Sequence, residues 1–316
     1  MHRKDVDVVV LNYRTASMAV DSARSAHEDG ATSIIVVDNH SGDDSLAVLQ
    51  RELGAVARIV SLPDNRGFAG GNNYGARVGS RPLVLFMNAD AKLHPGALAS
   101  MAKVFDQDPQ IGAVAPALCF PDGRPQASAY HFITPTRVLN SLLGIDRLAK
   151  RCGWTSLSSN VDLHRNGAFS GPVESLYGAC LLVRRKAFED VGGFDEAFFL
   201  YCEETDFLLR LAQKGWKAYR TADATVAHGH GESANQDPVK TLVIMQESRW
   251  IYARKHFRPL GMLVTSIASI VGLGLRFLFS LDNQERRRYR AALGFWLGWT
   301  PSADPRKRRA LPLADP

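Results

Sequence analysis

Cysteine is scarce in this sequence: Cys119, Cys152, Cys180 and Cys202 are four residues in 316, far apart and with no CxxC pair. That spacing argues against a zinc site and a disulfide framework, and it predicts a protein of the reducing cytoplasm. A leader is not expected either. Met1-His2-Arg3-Lys4-Asp5 carries charge, but the run that follows, Val6-Asp7-Val8-Val9-Val10, is too short and too acidic for a signal peptide, so no export signal is expected. The glycine-rich NRGFAGGNNYG at 65–75 has neither the GxxxxGK[ST] nor the GxGxxG spacing, which removes the P-loop and dinucleotide readings. Internal repeats are absent, and basic residues do not interleave with aromatic ones, so nucleic acid is not an expected partner.

What is present is a chain with 46% hydrophobic residues, enough for one large α/β domain or two small ones. Its net charge of +6 is unevenly spread: from Arg249 onward, 13 Lys and Arg face 4 Asp and Glu, so the preceding residues are slightly acidic. The basic character therefore belongs to the last quarter and points that quarter at an anionic surface.

Apolar runs at Val6–Leu11, Ser33–Val37, Ala57–Leu62, Leu83–Met87, Gly112–Leu118 and Leu176–Val183 read as strands. Helical periodicity at Thr15–Glu28, Ser45–Leu53 and Gly70–Val78 alternates with the early ones, which predicts an α/β fold with a mostly parallel sheet flanked by helices. Ligands of such sheets gather at the carboxyl ends of the strands. The residues there are Asn12-Tyr13, Asp38-Asn39, Asp64-Asn65-Arg66-Gly67 and Asn88-Ala89-Asp90: polar every time, and acidic in three of four. Asp and Asn also favour turns, so one such residue says little, whereas four along one sheet edge suggest a site.

Asp90 ends an apolar strand and can reach a hard cation, with Mg²⁺ or Mn²⁺ expected. In YCEETDFLLR, Glu203, Glu204 and Asp206 open a helix, expected from Glu203 to Lys214 with Gly215 as its cap. The apolar Phe198-Phe199-Leu200-Tyr201 precedes them, and desolvation beside such a wall raises a carboxyl pKa, as suits a general base. His228 follows another apolar run and could bind metal or phosphate, with His230 competing for the role. The glycines of 65–75 suggest a close backbone approach at a helix start, with a nucleotide or sugar across it.

Together, VVVLNY, VVDNHSGD, NRGFAGGNN, LFMNAD, YGACLLVRR, GGFDEAFFLYCEETDFLLR and VAHGHG span most of residues 6 to 231 in order. On these stretches the chain resembles a family 2 glycosyltransferase of the GT-A fold, and most of all the rhamnosyltransferase-like branch. The resemblance implies that Asn12, Asp38 and Asn65 hold the nucleotide, Asp38 on a pyrimidine base, with Asn39, Gly67, Asn72 and Asn88 also lining the donor. It further implies Asp90 as metal ligand, His228 near metal and diphosphate, and Glu204, next to Glu203, as catalytic base of an inverting transfer. The sequence departs from the family twice: Asn88 stands where an acid is common, and Glu203-Glu204 replaces a Glu-Asp pair, making the base one methylene longer.

The catalytic domain is expected to occupy 1–245, basic and apolar helices 246–300, and a disordered tail 301–316. Residues 120–173, rich in Pro, Gly and Ser and with one helix expected from Thr136 to Lys150, read as a substrate loop or a plain insertion. PLGMLVTSIASIVGLGL at 259–275 is uncharged, bracketed by Arg258 and Arg276. Leu260, Leu263, Ile267, Val271 and Leu275 form one stripe, with Gly261, Thr265, Ala268 and Gly272 on another face. That split suits a helix lying in a membrane surface or packed on another helix more than one wrapped in lipid. Flanking arginines, with Trp296 and Trp299, would meet headgroups, placing the protein peripherally on the cytoplasmic face of the plasma membrane. The expected partners are a dTDP- or UDP-sugar, a lipid-linked saccharide acceptor and the membrane surface. Competing readings are a sugar nucleotidyltransferase and a non-catalytic nucleotide-binding component of a membrane assembly.

Overall fold

The computed structural model of the protein describes residues 5–142, 169–229 and 237–304, together with Ile145, Cys152 and Arg306. The chain divides into two compact units, one drawing on residues 1–132, 160–196 and 204–233, the other on 133–159, 197–203 and 234–316.

The first unit begins with the expected alternation: β1 (Val6–Asn12), α1 (Ala16–Glu28), β2 (Ile34–Asp38), α2 (Ser45–Leu53), β3 (Arg58–Ser61), α3 (Gly67–Val78) and β4 (Leu83–Asn88). It continues through β5 (Ala91–Leu93), α4 (Ala97–Val104), β6 (Ile111–Cys119), β7 (Pro125–Gln126), β8 (Ala129–Tyr130), β9 (Gly171–Val173), β10 (Ser175–Leu176), β11 (Cys180–Arg184) and β12 (Lys217–His228). The main sheet is ordered β3-β2-β1-β4-β11-β6-β12-β5. Along that path β11 and β5 run against the common direction, and β7 and β9, which pair antiparallel with β6 and β12, do so beside it; the other six strands are parallel, so the sheet is mostly parallel.

Strand alternation makes two cores from one run of valines. Val8 and Val10 of β1 pack with Ala19, Leu49 and Met101 on one face, while Val9 packs with Val37, Phe86 and Phe207 on the other. Because α1 and α3 cover opposite faces, the chain leaves β1 toward β2 on one side and returns through β4 on the other, the crossover at which open sheets hold ligands.

The glycines of α3 have a packing reason. A Cβ on Gly75 would stand 2.4 Å from Cγ1 of Val9 and 3.1 Å from Cγ2 of Val37, and one on Gly71 would stand 2.4 Å from Cδ1 of Leu11. The close approach expected of NRGFAGGNNYG is therefore made to the sheet, and it seats α3 directly on β1 and β2.

β12 escaped the sequence reading except for its apolar end. Its 12 residues, KAYRTADATVAH, mix charge with Ala and Thr, yet it pairs with β6, β9 and β5. The buried Arg220 within it donates to Ser128 Oγ at 3.0 Å and to the Phe169 carbonyl. The helix Glu203–Gln213 buries Phe207, Leu208 and Leu211, and the chain turns off it at Gly215, whose φ is 84°. Of the helix expected from Thr136 to Lys150, Pro135–Leu142 is present. Its remainder, most of 143–168, His230 and most of the tail from 305 lie outside the described residues.

The second unit holds the helices Pro135–Leu142, Pro238–His256, Pro259–Phe279 and Asn283–Trp296. Pro259–Phe279 packs on the other three, burying Thr265, Ala268, Ser269, Gly272 and Leu273. The stripe of Leu260, Leu263, Ile267, Val271 and Leu275 is exposed and continues through Leu278, Phe279 and Leu281. Trp299 is exposed, whereas Trp296, expected beside it at a headgroup boundary, turns inward and donates to Gln246 Oε1 at 3.1 Å. Phe199, Leu200 and Tyr201 pack on Val243, Ile244 and Ala303.

Gly75→Ala should push a methyl into the branched, rotamer-locked Val9 and cost about 1–3 kcal/mol in urea unfolding. Unchanged stability would mean that α3 has room to lift off the sheet.

Candidate active site

Register brings the polar strand ends together. Asn12 pairs with Asp38 across β1 and β2, Asp38 with Ser61 across β2 and β3, and Leu11 with Asn88 across β1 and β4. Apart from Asn72, Glu203 and Glu204, the site residues predicted from sequence fall into three clusters on this rim.

In the first, Asn12 Nδ2 donates to Asp38 Oδ1 at 2.9 Å and to Ser41 Oγ at 3.1 Å. Ser41 returns its hydroxyl to Asp38 Oδ1 and its amide to Oδ2 at 3.3 Å, closing a turn through His40 at φ 61°. Among the described residues, the buried Asp38 thus has one oxygen that accepts two hydrogen bonds and another that accepts one long one. In the second cluster, Asn39 Nδ2 donates to Asn65 Oδ1 and to the Gly67 carbonyl, both at 3.0 Å, and Asn39 Oδ1 accepts from the Arg66 amide at 2.9 Å. Asn65 Oδ1 also accepts from the Gly67 amide at 2.9 Å. These bonds fix the loop that opens α3.

Asn72 joins neither cluster by a hydrogen bond among the described residues. It is buried inside α3, where its amide donates to the Phe68 carbonyl at 3.1 Å. Asn73, not singled out from the sequence, grips the Gly193-Phe194 turn: its Nδ2 donates to the Phe194 carbonyl at 2.8 Å and its Oδ1 accepts from the Phe194 amide at 2.9 Å.

The third cluster is Asn88, Asp90 and His228. Strand β12 pairs His228 with Ala91, and the Gly229 amide donates to the Asp90 carbonyl at 3.0 Å. His228 Nε2 consequently stands 3.3 Å from Asp90 Oδ1 and 3.4 Å from Asn88 Nδ2. Two donors of a six-coordinate cation at about 2.1 Å are roughly 3 Å apart, so this carboxylate and imidazole fit one shared divalent ion. Among the described residues no group of three His, Cys, Asp or Glu is assembled to hold a metal. The remaining ligands of such an ion have to come from water or a bound substrate.

Glu203 and Glu204 open their helix differently: Glu203 is 4% exposed, while Glu204 is half-buried. Gly178 lies against Glu204, for a Cβ there would meet Glu204 Cγ at 3.4 Å. Its neighbours touch the third cluster, the Tyr177 ring 5.6 Å from that of His228 and the Ala179 carbonyl accepting from the Asn88 amide at 2.9 Å. One loop, Tyr177-Gly178-Ala179, therefore borders both the carboxylate–imidazole pair and Glu204. Burial pushes the Glu204 carboxyl above the ordinary range, against the opposing pull of its own and the Thr205 amides. The expected direction holds, although the aromatic run Phe199-Leu200-Tyr201 packs on the C-terminal helices.

The glycosyl transferase family 2 model matches residues 8–192, so the chain belongs to that family. An N-acetylglucosaminyl-diphospho-decaprenol L-rhamnosyltransferase of Mycobacterium tuberculosis is 33% identical over 170 residues, 54% of this chain and 54% of that protein. The O-antigen biosynthesis protein RfbC of Myxococcus xanthus is 25% identical over 215 residues, 65% of this chain but 15% of its own length. The chain thus spans about half the length, or less, of these curated relatives. Among solved structures, a mannosyltransferase from Pyrobaculum calidifontis in complex with GDP-Man and Mn²⁺ aligns over 96% of this chain and 85% of its own. The TM-score is 0.56 at 16% identity, a likeness of fold alone.

Ionising Glu204 costs more in the folded protein than in the unfolded chain. Its contribution to stability is complete below the ordinary carboxylate range and is lost as pH rises through the elevated value. In urea unfolding, Glu204→Gln should therefore gain on the wild type as pH rises from the ordinary carboxylate range through the elevated value. A stability gap that does not change with pH would remove burial as the cause.

Proposed function

We propose that this protein is an inverting, metal-dependent glycosyltransferase. It moves a sugar, L-rhamnose from dTDP-L-rhamnose, onto a lipid-linked saccharide in cell-envelope polysaccharide synthesis. The observation that carries the reading is the Asp90–His228 pair, 3.3 Å apart at the sheet's carboxyl edge, bordered by the same loop as the half-buried Glu204. The choice of rhamnose and of a diphosphate-lipid acceptor rests on the name of the mycobacterial relative. A UDP-sugar is the alternative donor.

In this reading Asp38 receives the pyrimidine through its less engaged oxygen, and Asn12, Asn39, Asn65 and Gly67 shape the nucleotide's seat. Asn72 steadies the first turn of α3 behind them. Asp90 and His228 would hold Mg²⁺ or Mn²⁺, with Asn88 beside them. Bound there, the ion offsets the charge that gathers on the leaving nucleoside diphosphate. Glu204, more accessible than Glu203, takes the proton of the acceptor hydroxyl as its oxygen bonds to the anomeric carbon and the carbon–phosphate-oxygen bond breaks. A raised pKa suits this task, since a stronger conjugate base takes that proton more readily.

The second unit would rest on the cytoplasmic face of the plasma membrane, the surface that holds a lipid-linked acceptor. Pro259–Phe279 is long and apolar enough to cross a bilayer, but its polar-small face is buried on neighbouring helices and its leucine stripe is open. The exposed Arg254, Lys255, Arg258, Arg276, Arg286, Arg287 and Arg290 match that stripe with charge for anionic headgroups.

Incubation with dTDP- and UDP-sugars and a polyprenyl-diphosphate saccharide should release nucleoside diphosphate, fastest from dTDP-L-rhamnose. Release of pyrophosphate would instead mark a nucleotidyltransferase. Glu204→Gln should cut turnover by about 10²–10⁴-fold while donor binding persists; undiminished turnover would end its role as base. In sedimentation with phosphatidylglycerol vesicles the wild type should pellet and the Ile267→Glu/Val271→Glu variant should stay in solution. A wild type left in the supernatant would remove the membrane from the reading.

A further inference from the structure

We infer that Gln126 is a positioning residue that sets the tautomer of His228 and so makes its Nε2 a metal ligand. The inference rests on the metal reading of the third cluster and assigns a function to a side chain outside the sequence motifs. Gln126 is buried on the two-residue β7, which pairs with β6 through Leu118 and Cys119. Its Oε1 stands 3.1 Å from His228 Nδ1.

A side-chain amide oxygen can only accept, so Nδ1 must carry the proton in this pairing. A neutral ring protonated on Nδ1 has its lone pair on Nε2, the nitrogen 3.3 Å from Asp90 Oδ1. The other neighbour agrees: Asn88 Nδ2, 3.4 Å away, presents a donor to the same nitrogen. Gln126, His228 and Asn88 thus form one chain of consistent polarity, running from the Asn88 amide through the ring to the Gln126 oxygen. The edge-on Tyr177 ring at 5.6 Å restricts ring rotation. The opposite tautomer would place a proton where the ion has to bind. Partners that fix the second nitrogen of a metal-binding histidine are commonly worth about 10–100-fold in metal affinity.

The test uses the full chain in wild-type, Gln126→Leu and Gln126→Glu forms. The ring nitrogens of His228 are read by ¹⁵N NMR without metal, and Mn²⁺ affinity is measured by calorimetry with UDP or dTDP present. We expect the Nδ1–H tautomer in the wild type and in Gln126→Glu, whose carboxylate still accepts, with Mn²⁺ binding retained in both. Gln126→Leu should populate the Nε2–H form and weaken Mn²⁺ about 10–100-fold. An Nε2–H ring in the wild type overturns the inference whether or not the leucine variant folds. Equal Mn²⁺ affinity in wild type and Gln126→Leu overturns only the role of Gln126. No Mn²⁺ binding to the wild type removes the metal reading and this role together.

Discussion

The site depends on a directional constraint: strands running the same way must all end at the same edge. Parallel pairing puts Asn12 beside Asp38 and Asn88 beside Leu11, so residues 26 and 77 positions apart along the chain meet without any loop having to find them. Slipping β1 against β2 by one residue would turn the valine faces inside out and exchange the two cores. The apolar packing that stabilises the sheet therefore also sets the register of the polar ends. The Asn12–Asp38 hydrogen bond is a consequence of valine packing some distance away.

That coupling explains what was legible in the sequence. The runs of β1, β2 and β4 are continuous because strands covered on both faces need apolar residues at every position. Their sudden polar ends mark the rim. β12 was illegible for the complementary reason. Its polar residues are satisfied by partners remote in sequence, as Arg220 is by Ser128 and Phe169, and no local period records that. Asp29 is similar: it reads as a turn residue, yet its carboxylate accepts from the amides of Gly96 and Leu98, capping α4 from 67 and 69 residues away. Asn73 and Gln126 each meet a partner more than 100 residues distant, so the site's supporting contacts were out of reach of motif spacing. The glycines of α3 were visible, but their cause was not, since a close approach to a strand and one to a ligand leave the same letters.

The C-terminal charge and the leucine stripe belong to one unit, and each explains the other. An exposed row of Leu260, Leu263, Ile267 and Val271 costs solvation free energy in water. The face opposite is made of Thr265, Ala268, Ser269 and Gly272, small residues that let the neighbouring helices come close. A helix that meets protein through its small residues and leaves its large ones outside has the reverse of the arrangement that a water-facing surface favours. In the proposed reading a bilayer boundary would remove the contradiction, because the large apolar side chains would then lie in the medium that suits them, with the cations at the headgroups.

The segment leading into Glu203 makes the same kind of argument from strain. Tyr201 and Cys202 both adopt left-handed backbone, φ 71° and 65°, in consecutive positions and without glycine. Such residues cost about 1–2 kcal/mol each and persist only where packing over-determines them. Here Phe199, Leu200 and Tyr201 are packed on Val243, Ile244 and Ala303, and Ser248 Oγ donates to the Leu200 carbonyl at 2.7 Å. Immediately after this strained pair the chain spends stability again by burying a carboxylate that would ionise more cheaply in water. Folding alone asks for neither feature: glycines at 201 and 202 and a neutral residue at 204 would relieve both. Two adjacent costs of this kind fit the proposed role of Glu204, since a general base would need the position and basicity of one oxygen more than the stability lost.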